Sequence, residues 1–193
     1  ARRFIKSINP EKVQASLKLS SLNKHTEKSE HFAMIKPCLE GHNVGLMSEA
    51  GCPGVADPGA VIVKLAHVNG IQVVPLVGPS SILLAIMASG MNGQSFAFNG
   101  YLPIEKSEKK TALKNLEKLS DDKNQSQIFI ETPYRNNKML EDILQAINPS
   151  TYLCIASDIT LPTEYIKTMK ASEWKNAKID LHNRPTIFII HRM

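Results

Sequence analysis

The sequence lacks the short motifs that identify the commonest nucleotide-binding and hydrolytic enzymes. It contains no G-x-G-x-x-G, no G-x-x-x-x-G-K-[ST] and no G-x-S-x-G. The first two absences exclude the usual dinucleotide fingerprint and the phosphate-binding P-loop, because both depend on glycines at fixed spacing. The third counts against the nucleophile elbow of the common hydrolases.

Cysteine is also scarce. The chain has three cysteines, Cys38, Cys52 and Cys154, and no C-x-x-C pair. This pattern predicts neither a zinc ribbon nor a disulfide framework, and it favours a reducing cytoplasm. Cys38 and His42 have the spacing of two metal ligands on one helix, but Gly41 lies between them and no second pair is evident. We therefore predict no metal site.

Long apolar runs are absent as well, since no stretch reaches the ~20 residues that cross a bilayer. The start, ARRFIKSINP, is basic and has no apolar stretch after it, so neither a secretory signal nor a membrane segment is expected. The 193 residues suffice for one large domain or two small ones. The net charge of +5 and the pI of about 9.1 suit a nucleic-acid partner without requiring one.

Apolar, β-rich runs alternate with helical stretches along the chain, which predicts an α/β fold with largely parallel strands. The alternation is interrupted near 97–104, so we predict two α/β lobes, 1–98 and 99–193, with a ligand cleft between them. The predicted strands are 43–49, 71–78, 96–103 (or an extended linker), 126–131, 151–157 and 184–190. The predicted helices are 57–70, 79–90, 106–119, 137–147 and one near 164–176.

Three of these predicted strands end in glycine, proline and polar residues. The stretches are SEAGCPGVADPG (48–59), PLVGPSS (75–81) and ETPYRN (131–136). Glycine accepts backbone angles that other residues avoid and lets the backbone approach a ligand closely. One such stretch is an ordinary turn, but three at the ends of predicted strands favour a binding site. Asp57 is also a plausible N-cap for the predicted helix 57–70, and Gly70 suits its end.

Five blocks of the sequence agree in order and spacing with one family. They are MSEAGCPGVADPG, VVPLVGPSSILLAIMASGM, FAFNGYLP, FIETPYR and RPTIFII. Through them nearly the whole chain resembles the bacterial ribosomal RNA small-subunit methyltransferase I group of the S-adenosylmethionine-dependent tetrapyrrole-methylase superfamily. The resemblance implies two α/β lobes with S-adenosylmethionine bound between them, a homodimer, and 2′-O-methylation of a cytidine ribose in 16S ribosomal RNA.

The resemblance also implies roles for residues. The first loop lines the cofactor site largely through its backbone, the next two strand-end loops contribute further contacts, and a pair before the last strand flanks the adenine. The implied cofactor-binding residues are Ser48, Glu49, Ala50, Gly51, Ser80, Ser81, Ile130, Pro185 and Thr186.

Several positions depart from the family pattern and indicate a divergent branch. Glu49 stands where the family has Asp, Cys52 replaces Thr, and Tyr134 replaces His. A basic residue of the family is lost at Leu161. The superfamily also opens with a strand and a glycine- and proline-rich loop, whereas ARRFIKS resembles the helix that follows them. We expect that this opening piece is missing from the sequence.

Methyl transfer to a hydroxyl needs orientation, which can be worth ~7–11 kcal/mol of the barrier, and a base that takes the proton. Asp57, Glu131 and Asp158 are candidate bases at or near predicted strand ends. Asp57 is alternatively a helix cap, and Glu131 a turn residue. Arg135 is a candidate catalytic residue that either holds an RNA phosphate or pairs with Glu131.

Two helical stretches have properties that bear on partners. Lys106, Lys110, Lys114 and Lys118 recur every four residues and predict a basic stripe that either faces solvent or contacts RNA, although neighbouring glutamates dilute it. The stretch SSILLAIMASGM (80–91) is too apolar for an ordinary surface helix, so it is either core or a dimer interface.

Two functions compete with ribosomal RNA methylation. One is methylation of a tetrapyrrole or another small molecule, and the other is a binding module that retains the cofactor pocket without catalysis. The basic pI and the lysine stripe favour a polyanionic substrate over a small ring.

Overall fold

The computed structural model describes residues 2–48 and 51–192. The chain divides after Pro79 into two compact units. The predicted lobe boundary at 98/99 stays a prediction. Two predicted cofactor-binding residues, Glu49 and Ala50, lie outside the described residues.

The first unit is built from helices. α2 packs against α3 and begins with a capping box formed by Glu27 and Glu30. Within the stretch ARRFIKS, residues 2–7 are helical, as expected. The helices are α1 (Arg2–Ile8), α2 (Lys28–Leu39) and α3 (Ala60–Val68), with a 3₁₀ turn at Gln14–Ser16.

α3 begins later than predicted. Its N-cap position is Gly59, which has no side chain, so the prediction that Asp57 caps a helix starting at 57 is wrong. The Pro58 and Gly59 backbone instead forms a turn that leads into Ala60. α3 ends at Val68, and Gly70 follows with φ +66°, a left-handed conformation that glycine adopts without strain. The prediction of a helix stop at Gly70 is confirmed.

The two strands predicted in this unit do not form. Residues 43–48 and 71–78 take part in no ladder within the described part of the chain. In the second segment Val74 and Leu76 are 63% and 89% exposed. A strand needs a neighbour that supplies its hydrogen bonds, and neither segment has one here.

The second unit contains one sheet of five strands. They are β1 (Phe96–Tyr101), β2 (Ser126–Ile130), β3 (Tyr152–Ser157), β4 (Tyr165–Lys170) and β5 (Thr186–His191). Their order across the sheet is β1-β2-β5-β3-β4. Only the β1–β2 pair is parallel, so the prediction of largely parallel strands is wrong for this sheet. β3 and β4 are joined by residues 158–164, which are too few for the crossover that parallel neighbours need.

The prediction of a helix near 164–176 is also wrong for the first half of that range. Residues 165–170 form β4, which pairs antiparallel with β3, and only one helical turn follows, α7 (Ala171–Trp174). Tyr165, Ile166 and Thr168 are β-branched or aromatic, and such residues fit a pleated surface better than a helix. Trp174 is buried and donates from Nε1 to the Leu153 carbonyl at 2.9 Å, which ties α7 to the sheet.

Helices cover both faces of the sheet, and the α/β class is confirmed. The remaining helices of this unit are α4 (Ser81–Ser89), α5 (Lys106–Lys123) and α6 (Asn136–Ala146). Ala85 and Ile86 of α4 pack on one face, while α5, α6 and α7 pack on the other. Along β5, Ile189 packs in the core on the α4 face of the sheet and Phe188 packs in the core on the opposite face. This alternation follows because successive side chains of a strand point to opposite faces.

Candidate functional site

In the first unit, Asp57 organises the glycine-rich loop that follows Ser48. Its Oδ1 accepts hydrogen bonds from the N–H groups of Gly54 at 3.0 Å and Gly59 at 2.7 Å, and its Oδ2 accepts from Ser48 Oγ at 3.2 Å. Both carboxylate oxygens therefore stabilise the loop. The role of Asp57 as a base stays a prediction.

Two glycines of this loop are required for different reasons. A Cβ on Gly59 would lie 2.8 Å from Leu46 Cδ2 and 3.2 Å from the Gly54 nitrogen, so close packing excludes a side chain. Gly51 has open space around its Cα, but its φ of +75° is rarely adopted by residues with a side chain. The loop also reaches the end of the next predicted strand, since Cys52 Sγ lies 3.7 Å from the Pro79 carbonyl oxygen. The structure thus brings together two of the predicted binding loops within this unit.

A groove of about 520 Å³ also lies in the first unit, beside the loop and α3. Its lining is mostly apolar and includes Val55, Val63 and His67. None of its lining residues is a predicted site residue.

In the second unit, Ser80 and Ser81 begin α4. Ser80 occupies the N-cap position in extended conformation, but its side chain makes no capping hydrogen bond. The first-turn N–H groups of a helix have no partner within the helix, so this end of α4 can donate hydrogen bonds to an anionic or carbonyl oxygen.

The strand register collects the other predicted residues at one edge of the sheet. Ile130 at the end of β2 pairs with Ile187, and Ser157 at the end of β3 pairs with Thr186 at the start of β5. The carboxyl ends of β2 and β3 therefore meet the beginning of β5. The predicted residues at this edge are Ile130, Glu131, Asp158, Pro185 and Thr186.

Glu131 lies in this edge as the centre of a tight hydrogen-bonded turn. Its Oε1 accepts from the N–H and Oγ1 of Thr132, and from Arg135 Nε at 3.1 Å and Nη2 at 2.8 Å. Glu131 is 5% exposed, and the Arg135 guanidinium also lies over the Tyr134 ring. Of the two alternatives for Arg135, the structure shows the pair with Glu131.

Asp158 is held by Arg184, a residue that sequence reasoning missed. Arg184 Nε donates to Asp158 Oδ2 at 2.7 Å, and Thr163 Oγ1 donates to the same oxygen at 3.0 Å. Arg184 Nη2 also donates to the Thr163 carbonyl at 2.7 Å. The arginine thereby fixes the β3–β4 turn, where Asp158 and Thr160 adopt φ +52° and +70°. The sequence feature that could have indicated Arg184 is its position directly before Pro185 and Thr186, two of the predicted cofactor-binding residues.

The backbone of this segment is fixed as well. The Arg184 carbonyl accepts from Asn136 Nδ2 at 2.6 Å and from Thr186 Oγ1 at 2.9 Å. The Pro185 carbonyl accepts from the Asp158 N–H at 2.9 Å. Arg184 and Pro185 are therefore anchored to α6, to Asp158 directly after β3 and to the first residue of β5, which makes this part of the edge a preorganised surface.

The described residues contain no group of three or more His, Cys, Asp or Glu side chains suited to a metal ion. Cys38 lies in α2, which ends at Leu39, whereas His42 follows Gly41 at φ +83°, so the two do not share a helix. Among the described helices, none combines the length and apolarity that a membrane crossing requires.

The sequence profile of the Tetrapyrrole (Corrin/Porphyrin) Methylases matches residues 2–175. The chain belongs to the tetrapyrrole methylase family. Solved structures agree with this fold: the methyltransferase CobJ has a TM-score of 0.60 with 15% identity, over 92% of this chain and 79% of that chain. Diphthine synthase has a TM-score of 0.63 with 15% identity, over 88% of this chain and 67% of that one.

Curated relatives of this tetrapyrrole methylase are named ribosomal RNA small subunit methyltransferase I. The protein of Buchnera aphidicola subsp. Schizaphis graminum is 36% identical over 80% of this chain and 53% of its own length. That of Escherichia coli O157:H7 is 33% identical over 77% of this chain and 51% of its own length. The resemblance to this group is confirmed. The chain spans about half the length of these relatives.

Proposed function

We propose that this tetrapyrrole methylase transfers a methyl group from S-adenosylmethionine to the 2′-hydroxyl of a cytidine ribose in 16S ribosomal RNA. The observation that carries the proposal is the 36% identity, over 80% of the chain, to a protein named ribosomal RNA small subunit methyltransferase I. A ribosomal RNA substrate would be methylated in the cytoplasm, where the small ribosomal subunit is the partner.

The described residues fit the proposed cofactor, which supplies an activated methyl group on sulfur. The open N-terminus of α4, with Ser80 and Ser81, suits a carboxylate such as that of the cofactor's amino-acid part. Gly51 leaves its backbone bare, since no heavy atom lies within 4 Å of where its Cβ would be. The anchored segment at Pro185 and Thr186 offers a fixed backbone against which an adenine can be oriented. Ser48, Glu49, Ala50 and Ile130 complete the proposed cofactor-binding set.

Glu131 is the base that we favour. Arg135 and Thr132 hold its Oε1, and the four hydrogen bonds to that atom leave Oε2 to accept the proton of the ribose hydroxyl. Arg135 then acts as a positioning residue rather than as a phosphate ligand. Asp57, with hydrogen bonds to both oxygens, is the weaker candidate.

The direct test combines binding with product mapping. Calorimetry should detect binding of S-adenosylmethionine to the purified protein. Incubation with unmethylated small ribosomal subunits, followed by mass spectrometry of the RNA, should then reveal one methylated cytidine ribose. Binding without RNA methylation would overturn the proposed substrate. Turnover on a precorrin would then support a tetrapyrrole methyltransferase, and binding without any turnover would support a binding module.

We also propose a homodimer. The predicted apolar helix is only partly covered: Leu83 and Met87 of α4 are 51% and 77% exposed and lie one turn apart on the same side. An interface between two copies would bury this side, and twofold dimers are the commonest assembly. Light scattering at micromolar concentration should give the mass of two chains, and Met87→Glu should reduce it to one. A single-chain mass before mutation would reject the dimer.

A further inference from the structure

One charged surface of the second unit plays no part in the site described above. Lys106, Lys110, Lys114 and Lys118 are all exposed on α5. At 1.5 Å per residue, the four side chains extend over about 18 Å, and each is rotated by only about 40° from the one before. They therefore form a continuous lysine row along one flank of the helix.

The three glutamates near this row in the sequence, Glu105, Glu108 and Glu117, do not neutralise it from the same side of the helix. Glu117 is buried, and its Oε1 accepts from the Asn148 N–H at 2.7 Å and from Thr151 Oγ1. Glu105 caps the helix by accepting from the Glu108 N–H at 2.9 Å. Glu117 is therefore turned away from the row and Glu105 is held at the helix N-terminus, while the exposed Glu108 lies about 200° around α5 from Lys106 and Lys110.

A further acid beside the row, Asp142 of α6, already has cationic partners. It shares a cavity of about 130 Å³ with Lys106, Lys110 and Gln145. Its Oδ2 lies 3.1 Å from the buried Lys109 Nζ, and its Oδ1 lies 3.3 Å from Lys138 Nζ. The contact between Lys138 and Oδ1 is an ion pair only, and Oδ1 accepts no hydrogen bond within the described residues.

Lys109 and Lys138 thus both face this carboxylate, and Lys138 also pairs with the exposed Glu141 at 2.9 Å. Lys106 and Lys110 on the cavity rim add further positive charge, and within residues 2–48 and 51–192 they form no ion pair. Lys114 and Lys118 likewise form no ion pair with any of the residues that the structure describes. Asp121 on the same flank pairs with Arg192 at 3.3 Å. The row ends at Asp122, one turn beyond Lys118.

We propose that the lysine row binds the phosphate backbone of the RNA substrate. This inference rests on the proposed function, and it names the surface that holds the RNA outside the reacting nucleotide. Lysine contributes mobile point charges and no planar fork, so these contacts provide affinity and salt dependence without reading bases. A row of this length suits an extended polyanion better than a small anionic ligand.

The test replaces all four lysines of the row by glutamine, which keeps good helix propensity. The matched control replaces Lys123, Lys167, Lys175 and Lys178, four exposed lysines outside the row, and so changes the net charge equally. Anisotropy would measure the affinity for a 16S ribosomal RNA fragment across a salt series. The plot of log K against log salt has a negative slope, and each lost contact to single-stranded RNA reduces the magnitude of that slope by about 0.7. The slope of the row variant should therefore be smaller in magnitude by about 3. Circular dichroism would verify that both variants fold.

The outcomes separate this surface from the proposed function. The inference is supported if the salt dependence becomes weaker in the row variant and stays at the parent's value in the control. This holds whether or not the RNA is methylated. Equal slopes in the two variants overturn it, even if the parent methylates the RNA. A parent that does not bind the RNA overturns it as well. Calorimetry with S-adenosylmethionine should give the same affinity for all three proteins.

Discussion

The two units respond differently to similar strand-like sequences. In the second unit the predicted strands 126–131, 151–157 and 184–190 all form, and Phe129, Ile155 and Ile189 are fully buried. In the first unit the described parts of 43–49 and 71–78 form no ladder, and Leu76 is 89% exposed. β-propensity describes how well a residue fits a pleated, half-buried surface. It produces a strand only where a neighbouring strand supplies hydrogen bonds.

The carboxylates at the two predicted strand ends show the same contrast. Asp57 takes its partners from Ser48, Gly54 and Gly59, all within one loop. Asp158 takes its charged partner from Arg184, which the sheet brings back from a distant part of the chain. The arrangement in the first unit is local, whereas that in the second depends on the complete sheet.

The largest expected effect tests which of these regions carries the base. Glu131→Gln keeps the size of the side chain but cannot take a proton, so we expect kcat to fall by about 10²- to 10⁴-fold with little change in cofactor affinity. Asp57→Ala should instead weaken cofactor binding, because it releases the loop. Steady-state kinetics and calorimetry distinguish the two effects. If kcat fell only in the Asp57 variant, the base would belong to the first unit.

The second prediction concerns the stability of the second unit. Arg184→Ala leaves Asp158, which is 7% exposed, as an unpaired buried charge. We expect the free energy of unfolding to fall by about 3 kcal/mol. Arg192→Ala breaks the more exposed pair with Asp121 and should cost less than about 1 kcal/mol. Urea denaturation measures both, and equal losses would show that the buried pair is not a special anchor.

A third experiment tests the glycine-rich loop of the first unit. Gly51→Val places a β-branched side chain at φ +75°, which costs about 1–2 kcal/mol or more in backbone strain. We expect at least about tenfold weaker cofactor binding with the helices intact, since the site has room for the side chain. Gly45→Val is the matched control, because Gly45 has equal space without the positive φ. Unchanged affinity in the Gly51 variant would make the loop an ordinary turn.

The smallest expected effect is a pH dependence of the second unit. Burial lowers the pKa of the His191 imidazole, whose Nδ1 lies 3.3 Å from Ser126 Oγ. The unfolded chain therefore binds a proton at His191 more readily than the folded chain does. The contribution of neutral His191 to the free energy of unfolding is fully present above about pH 6.5 and declines as the pH falls below it. His191→Gln should flatten this decline in thermal melts between pH 7 and 5. The exposed His182→Gln should leave it unchanged, and an equally steep decline in both variants would reject the role of His191.

Much of this protein follows from its sequence alone. The α/β class, the helices α5 and α6, the glycine-rich loop and the family resemblance all depend on patterns within short windows, where spacing and turn chemistry act directly. The candidate cofactor loops were likewise visible as glycine and proline at predicted strand ends.

Only the tertiary structure decided which partner each charged residue takes and which segments pair as strands. It showed that Arg135 pairs with Glu131, that Arg184 anchors Asp158, and that β4 is a strand rather than a helix. It also directed Glu117 into the interior and left the lysine row free of it. These outcomes depend on sheet register and burial, because a charge chooses among possible partners by distance and desolvation, and neither is encoded in a local stretch of sequence.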